Sequence, residues 1–166
     1  DDLVSYYNTP NRKISIIPSG VDIKKFNPKD KTKARERLSI DKNTQVILYV
    51  GRLQWRKGVG TLIVAMSDII KKYPRKRFLL LIVGGSFKRG SSDGDKQEYN
   101  RLKTIAEEHG IADMVRFEGS IVQSKIPYYY AAANITVVPS YYEPFGIVPL
   151  EAMACKVPVV ASNTGG

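Results

Sequence analysis

Short apolar runs alternate with stretches of helical spacing along this chain, and that alternation narrows its folds more than any other feature. "QVILYV" (45–50) and "RFLLLIV" (77–83) are almost continuously apolar, as strands covered on both faces must be. Between them, "GVGTLIVAMSDIIKKY" (58–73) sets Leu62, Ala65, Met66, Ile69 and Ile70 at helical spacing. Strands are expected at 13–17, 45–50, 77–83, 114–119, 134–139 and 157–162. Helices are expected at 32–38, 58–73, 96–110, 124–133 and 146–154. This order predicts an α/β fold, a parallel sheet with helices on both faces.

Local signals place some boundaries. Gly110 closes the helix before it, and Pro127 suits the first turn of the next. "SFKRGSSDGD" (86–95) is rich in Gly, Ser and charge and reads as a mobile loop. There is no internal repeat. Residues 1–12 read as a linker or tail from a preceding domain, and 13–166 as one domain cut short at "ASNTGG".

Totals exclude several classes. A chain 43% hydrophobic and 25% charged is globular rather than disordered or fibrous. No apolar run approaches the ~20 residues of a membrane helix. "DDLVSYYNTP" has neither the basic nor the apolar part of a signal peptide. The single Cys155 cannot form an internal disulfide, so a cytoplasmic setting is expected. One cysteine and one histidine leave a zinc cluster of the usual kind without ligands. His109, at a helix end, is expected to face that end's carbonyls.

The net charge of +10 and pI near 9.7 favour anionic partners, although a solvated basic face explains them equally well. Much of the charge lies in 29–37 and 71–77. Neither stretch interleaves with aromatics as a single-strand nucleic-acid surface would.

Ligands of open parallel sheets bind beyond the carboxyl ends of the strands. Glycines and polar residues follow every apolar run: Ser19 and Gly20, Gly51 and Arg52, Gly84 and Gly85, Gly119 and Ser120, Ser140 and Glu143, Ser162 to Gly166. Arg52 and Lys57 flank a strand end and a helix start, where two cations beside free amides make an anion site. Their plain alternative is two surface cations, with Arg56 a near rival. In "EPFGIVPLEAM" (143–153), Gly146 opens a second helix. Glu143 could accept sugar hydroxyls or merely face the helix dipole. Glu151 could accept a ribose diol or merely be an exposed helix residue. The chain has no G-x-G-x-x-G, P-loop, G-x-S-x-G elbow or Asp-rich calcium loop.

"IIPSGVDIKKFNP" (16–28), "VGRLQWRKGVGTLIVAM" (50–66) and "YYEPFGIVPLEAMACKVPVVASNTGG" (141–166) resemble the C-terminal, donor-binding domain of retaining glycosyltransferases with two Rossmann-like domains, the GT-B fold. Glu143 and Glu151 match that family's E-x7-E pattern, with Arg52 and Lys57 at the proper distance upstream. "GSIVQSKIPYYYAAANITVVPSYYEPFG" resembles the sucrose-phosphate synthase branch. The resemblance implies a Rossmann-like, three-layer α/β/α domain that is one half of the GT-B fold. It implies transfer of a hexosyl group from a nucleoside diphosphate sugar, UDP-glucose first, to a sugar or sugar phosphate.

By the same resemblance Arg52 and Lys57 neutralise the departing diphosphate, and Glu143 binds the donor sugar. Phe145, Gly146, Ile147 and Val148 meet sugar and phosphate through their amides. Glu151 holds the ribose, Ser120, Ile121 and Val122 meet the base, and Gly84 and Gly85 line the cleft. No metal or other cofactor is expected. The acceptor is expected on a missing N-terminal domain, without which the fragment transfers poorly. A peripheral membrane contact through 71–77 is compatible with that activity, and no specific nucleic acid is expected. The rivals are an epimerase or phosphorylase of the same architecture, and a non-catalytic basic nucleotide- or nucleic-acid-binding module.

Overall fold

The computed structural model describes residues 2–86 and 93–164. Six helices and five strands follow in the order α1 (Asp2–Tyr7), α2 (Lys31–Arg37), β1 (Gln45–Val50), α3 (Val59–Lys72), β2 (Phe78–Val83), α4 (Asp93–Glu108), β3 (Val115–Gly119), α5 (Ile126–Ala132), β4 (Ile135–Val138), α6 (Ile147–Ala154) and β5 (Val159–Ala161). All strand pairs are parallel, in the order β3-β2-β1-β4-β5. The order reverses between β1 and β4, the switch point at which such sheets open a crevice. This is the expected Rossmann-like α/β/α architecture.

β1 and β2 alternate between two cores, as the period of a strand demands. Val46, Leu48, Leu81 and Val83 face α2, α5 and α6, packing with Phe26, Ala34, Tyr130 and Ala152. Ile47, Tyr49, Leu80 and Ile82 face α3 and α4, packing with Ile63, Met66 and Leu102. Burial on both faces is why the interiors of these runs carry no charged residue.

The helix signals act as expected. Asp30 caps α2 by accepting from the Lys33 amide at 3.0 Å. Gly110, at φ 68°, ends α4, and the Ile111 amide turns back to the Ala106 carbonyl at 2.9 Å.

Three expectations are corrected. "KISII" forms no strand: a 3-10 turn covers Asn11–Lys13, and Ile16 and Ile17 are 92% and 86% exposed. An apolar run becomes a strand only beside a partner edge, and β5 pairs with β4 alone among the described residues. In 86–95, residues 93–95 are the first turn of α4, where Asp93 and Asp95 suit the positive helix end. Residues 87–92 lie outside the described residues. Among the described residues the His109 ring makes no hydrogen bond to a helix carbonyl; Nδ1 lies 3.3 Å from Ser67 Oγ on α3.

The basic stretch 71–77 is exposed at the amino-terminal edge of the sheet. One aromatic does sit among its cations: Lys72 and Lys76 lie 5.7 and 5.4 Å from the Tyr73 ring centre. Among the described residues no helix is long and apolar enough to cross a membrane.

Candidate functional site

Two loops are stitched together at the carboxyl edge, at the switch point. The loop after β1 carries Arg52 to Lys57, and the loop after β4 carries Ser140 to Gly146. The Tyr141 amide donates to the Arg56 carbonyl at 2.8 Å, and the Arg56 guanidinium donates to the Tyr142 carbonyl at 3.1 Å. Gly58, at φ 67°, sits so close to the Pro139 carbonyl that any Cβ would overlap it. Arg56, the rival of its neighbours, is thus partly occupied in holding the loops.

The stitching brings Lys57 onto Glu143. Nζ donates to Oε2 at 2.5 Å, with the side chains 14% and 22% exposed, and Ser140 Oγ donates to the same oxygen at 3.2 Å. Burial pushes the Glu143 carboxyl up. The hydrogen bond and charge of Lys57, with bonds from Ser140 and the Gly146 amide, outweigh it and hold the group below its usual value. Glu143 therefore stays ionised, as an acceptor with a partner it can exchange.

Gly146 precedes α6 in the left-handed conformation, φ 58°. A Cβ there would meet only Glu143 Cγ, at 4.0 Å. The glycine answers to its backbone angle, not to lack of room.

Two cavities meet at Glu143. One of about 370 Å3 is lined by Arg52, Arg56, Lys57, Phe145, Ile147 and Val148 among others. The second, about 420 Å3, is lined by Ser19, Ser140, Phe145, Gly146, Ser162 and Thr164 among others. Each has the size of a small-molecule site. Arg52 is exposed, and its guanidinium has no partner among the described residues; its carbonyl accepts from the Tyr49 hydroxyl at 2.8 Å. Cations, an ionised acceptor and the first amides of α6 together suit an anion joined to a polyhydroxylated group.

The remaining candidates form a second group on the same edge. The Gly84 amide donates to the Gly119 carbonyl, and Ser120 Oγ donates to the Gly85 carbonyl, both at 2.8 Å. Gly84 backs onto Gly51 and Gly85 onto Leu53. Ile121 packs against the core, and Val122 is exposed. Neither glycine lines the two cavities.

Glu151 lines neither cavity and is not an exposed helix residue. It is only 8% exposed, and Tyr130 Oη donates to its Oε2 at 2.8 Å. Burial pushes its carboxyl up; the Tyr130 hydrogen bond and the charge of Lys25 only partly offset this. Ser140, a wall of both cavities, follows a strand and was legible to that extent. Tyr130 was not, because one of three adjacent tyrosines carries no mark of its partner.

The model of the glycosyl transferases group 1 family matches residues 30–166. A D-inositol 3-phosphate glycosyltransferase 2 of Catenulispora acidiphila is 38% identical over 99% of this chain and 38% of its own length. The corresponding enzyme of Corynebacterium jeikeium is 39% identical over 99% and 39%. The chain thus spans under two-fifths of these curated relatives. Among solved structures, a sucrose-phosphate synthase of Thermosynechococcus elongatus superposes with TM-score 0.81 at 40% identity, covering 99% of this chain and 38% of the other. Anabaena HepE, solved with UDP and glucose, superposes with TM-score 0.77 at 29% identity, covering 92% and 39%. With the switch-point geometry, these matches show that the chain belongs to the glycosyl transferases group 1 family and has the Rossmann-like fold of its GT-B members.

Proposed function

We propose that this chain binds the donor, a nucleoside diphosphate hexose with UDP-glucose favoured, for a retaining glycosyltransferase. The observation that carries the reading is the Lys57–Glu143 pair, set where two cavities meet at the start of α6. A diphosphate draws Lys57 toward itself and engages the Arg52 guanidinium, and Glu143 is released to accept sugar hydroxyls. The amides of Phe145 to Val148 approach the same phosphate and sugar. Glu151 accepts the ribose hydroxyls, Ser120 to Val122 face the base, and Gly84 and Gly85 keep the neighbouring edge narrow.

In the transfer the bond from the anomeric carbon to the diphosphate breaks, and the acceptor oxygen bonds on the same face. Its proton passes to the departing phosphate. Negative charge grows on that phosphate, so preorganised cations and helix amides lower the barrier, and Arg52 and Lys57 supply the neutralisation without a required metal. The acceptor lies on a further domain. HepE, with UDP and glucose bound, supports the donor class.

Calorimetric titration with UDP, ADP, GDP and UDP-glucose, with and without magnesium, tests this. The expected result is magnesium-independent binding of the uridine nucleotides, weakened roughly tenfold or more in Arg52→Ala and in Lys57→Ala. Unchanged affinity in both variants sinks the phosphate assignment.

A further inference from the structure

Glu151 has the geometry of an acceptor that another residue holds in place. It lies on α6, and Tyr130 lies on α5, inside the core that also contains Phe26 and Ala152. The tyrosine ring is fully buried and packs edge-on against Phe26, with ring centres 6.2 Å apart. Its position is therefore set by packing rather than by the hydroxyl. That hydroxyl donates to Oε2 at 2.8 Å. Oε1 has no hydrogen-bond partner among the described residues and is not among the side-chain atoms sealed from solvent. A carboxylate so placed has one oxygen pinned from inside and the other turned toward whatever arrives.

The surroundings extend the arrangement toward the loop after β3. Lys25 exerts its charge on Glu151, and its Nζ donates to Gln123 Oε1 at 2.9 Å. Gln123 directly follows Ser120, Ile121 and Val122. The charged or titratable groups acting on Glu151 are Tyr130 from α5, Lys25 from the loop before α2 and Cys155 from the end of α6.

We propose that Tyr130 is a positioning residue that makes the site select ribonucleotides over 2′-deoxyribonucleotides. It does so by fixing the Glu151 carboxylate with one oxygen pinned and the other presented to the ribose diol. The inference rests on the reading of Glu151 as the ribose acceptor. Vicinal hydroxyls donating to an oriented carboxylate lose one charge-assisted hydrogen bond when the 2′-hydroxyl is absent. A carboxylate free to turn can compensate, and one held by a packed phenol cannot. Tyr130 need not touch the nucleotide.

The test is calorimetric titration of the protein, Tyr130→Phe, Glu151→Gln and the double variant with UDP and with 2′-deoxy-UDP. Wild type is expected to prefer UDP by about tenfold or more. Tyr130→Phe keeps the packed ring and is expected to lose most of that ratio through weaker UDP binding. The double variant is expected to discriminate no worse than Glu151→Gln alone, because Tyr130 acts through Glu151. Removing the phenol also pushes the Glu151 carboxyl further up, so UDP affinity in Tyr130→Phe fails at a higher pH than in wild type; a purely structural tyrosine moves neither ratio nor pH limb. A full ratio retained in Tyr130→Phe, with UDP still bound, overturns the inference and leaves the proposed function standing. Equal binding of UDP and 2′-deoxy-UDP by wild type overturns the inference together with the ribose role of Glu151. No UDP binding by wild type overturns both the inference and the uridine reading.

Discussion

Arg35 and Lys57 are both cations at an end of the sheet, yet the chain treats them in opposite ways. Arg35, at the amino-terminal edge, is buried, and its donors are satisfied by groups that will not leave. Nε donates to the Ala132 carbonyl at 3.0 Å, Nη1 to the Lys42 carbonyl at 2.6 Å and Nη2 to Asn134 Oδ1 at 2.8 Å. Asn134 Oδ1 also accepts the Val46 amide, so one guanidinium ties α2 to the starts of β1 and β4 and the end of α5. Burial pulls Arg35 below its ordinary value, and carbonyls replace the water it gave up. Lys57, at the carboxyl edge, has one carboxylate partner on a cavity wall, and the same cavity is lined by Arg52, whose guanidinium has no partner among the described residues. The difference separates a charge used for cohesion from a charge available to a ligand: every nitrogen of the first donates to a fixed group of the fold, while the second can change partners.

The largest expected effect breaks the amino-terminal edge. Arg35→Ala strands two carbonyls and should cost about 3 kcal/mol of stability, read as a lower urea midpoint, with UDP affinity of the folded fraction unchanged. A midpoint within error of wild type would end the comparison. Lys57→Ala should do the reverse. Its stability loss should stay near ~1 kcal/mol, because Ser140 and the Gly146 amide still serve Glu143, while UDP affinity falls roughly tenfold. Gly146→Ala tests the backbone of the same edge. It meets open space but must hold φ 58°, so thermal denaturation should report a loss of about 1 kcal/mol.

The smallest effect sharpens the contrast between the two glutamates. Glu143 is held below its ordinary 4.5, so its contribution to stability is present above that value and is lost as pH falls through the folded one. Glu151 is pushed above 4.5, so its contribution is present below that value and is lost as pH rises through the folded one. Glu143→Gln should flatten the acid fall of the stability profile. Glu151→Gln should remove an opposing fall at higher pH. Urea midpoints taken between about pH 3 and pH 7 check both signs, and a shared sign would contradict the geometry described here.

Much of the fold was legible because its causes are local. Five consecutive apolar residues at 46–50 declare burial on both faces whatever their neighbours are. Asp30, Gly110 and Pro127 act on amides and carbonyls within a turn of themselves. The carboxyl edge was legible for the same reason, since in a parallel sheet whatever follows each apolar run stands on one side. "KISII" shows the limit: its residues state a preference for burial but cannot supply the strand edge that satisfies it.

By itself, the sequence determined the parallel α/β class, the glycines where the backbone must turn left-handed, and the placing of Arg52, Lys57 and Glu143 at one edge. Only the tertiary structure decided who meets whom. It set Lys57 on Glu143 across 86 residues, turned Glu151 inward onto Tyr130 and brought the His109 ring to the Ser67 hydroxyl. The reason is physical. A residue's periodicity and backbone preference act through its neighbours in the chain, whereas a hydrogen bond or ion pair forms only after the helices and strands have packed, and so depends on every element that brings the two partners together.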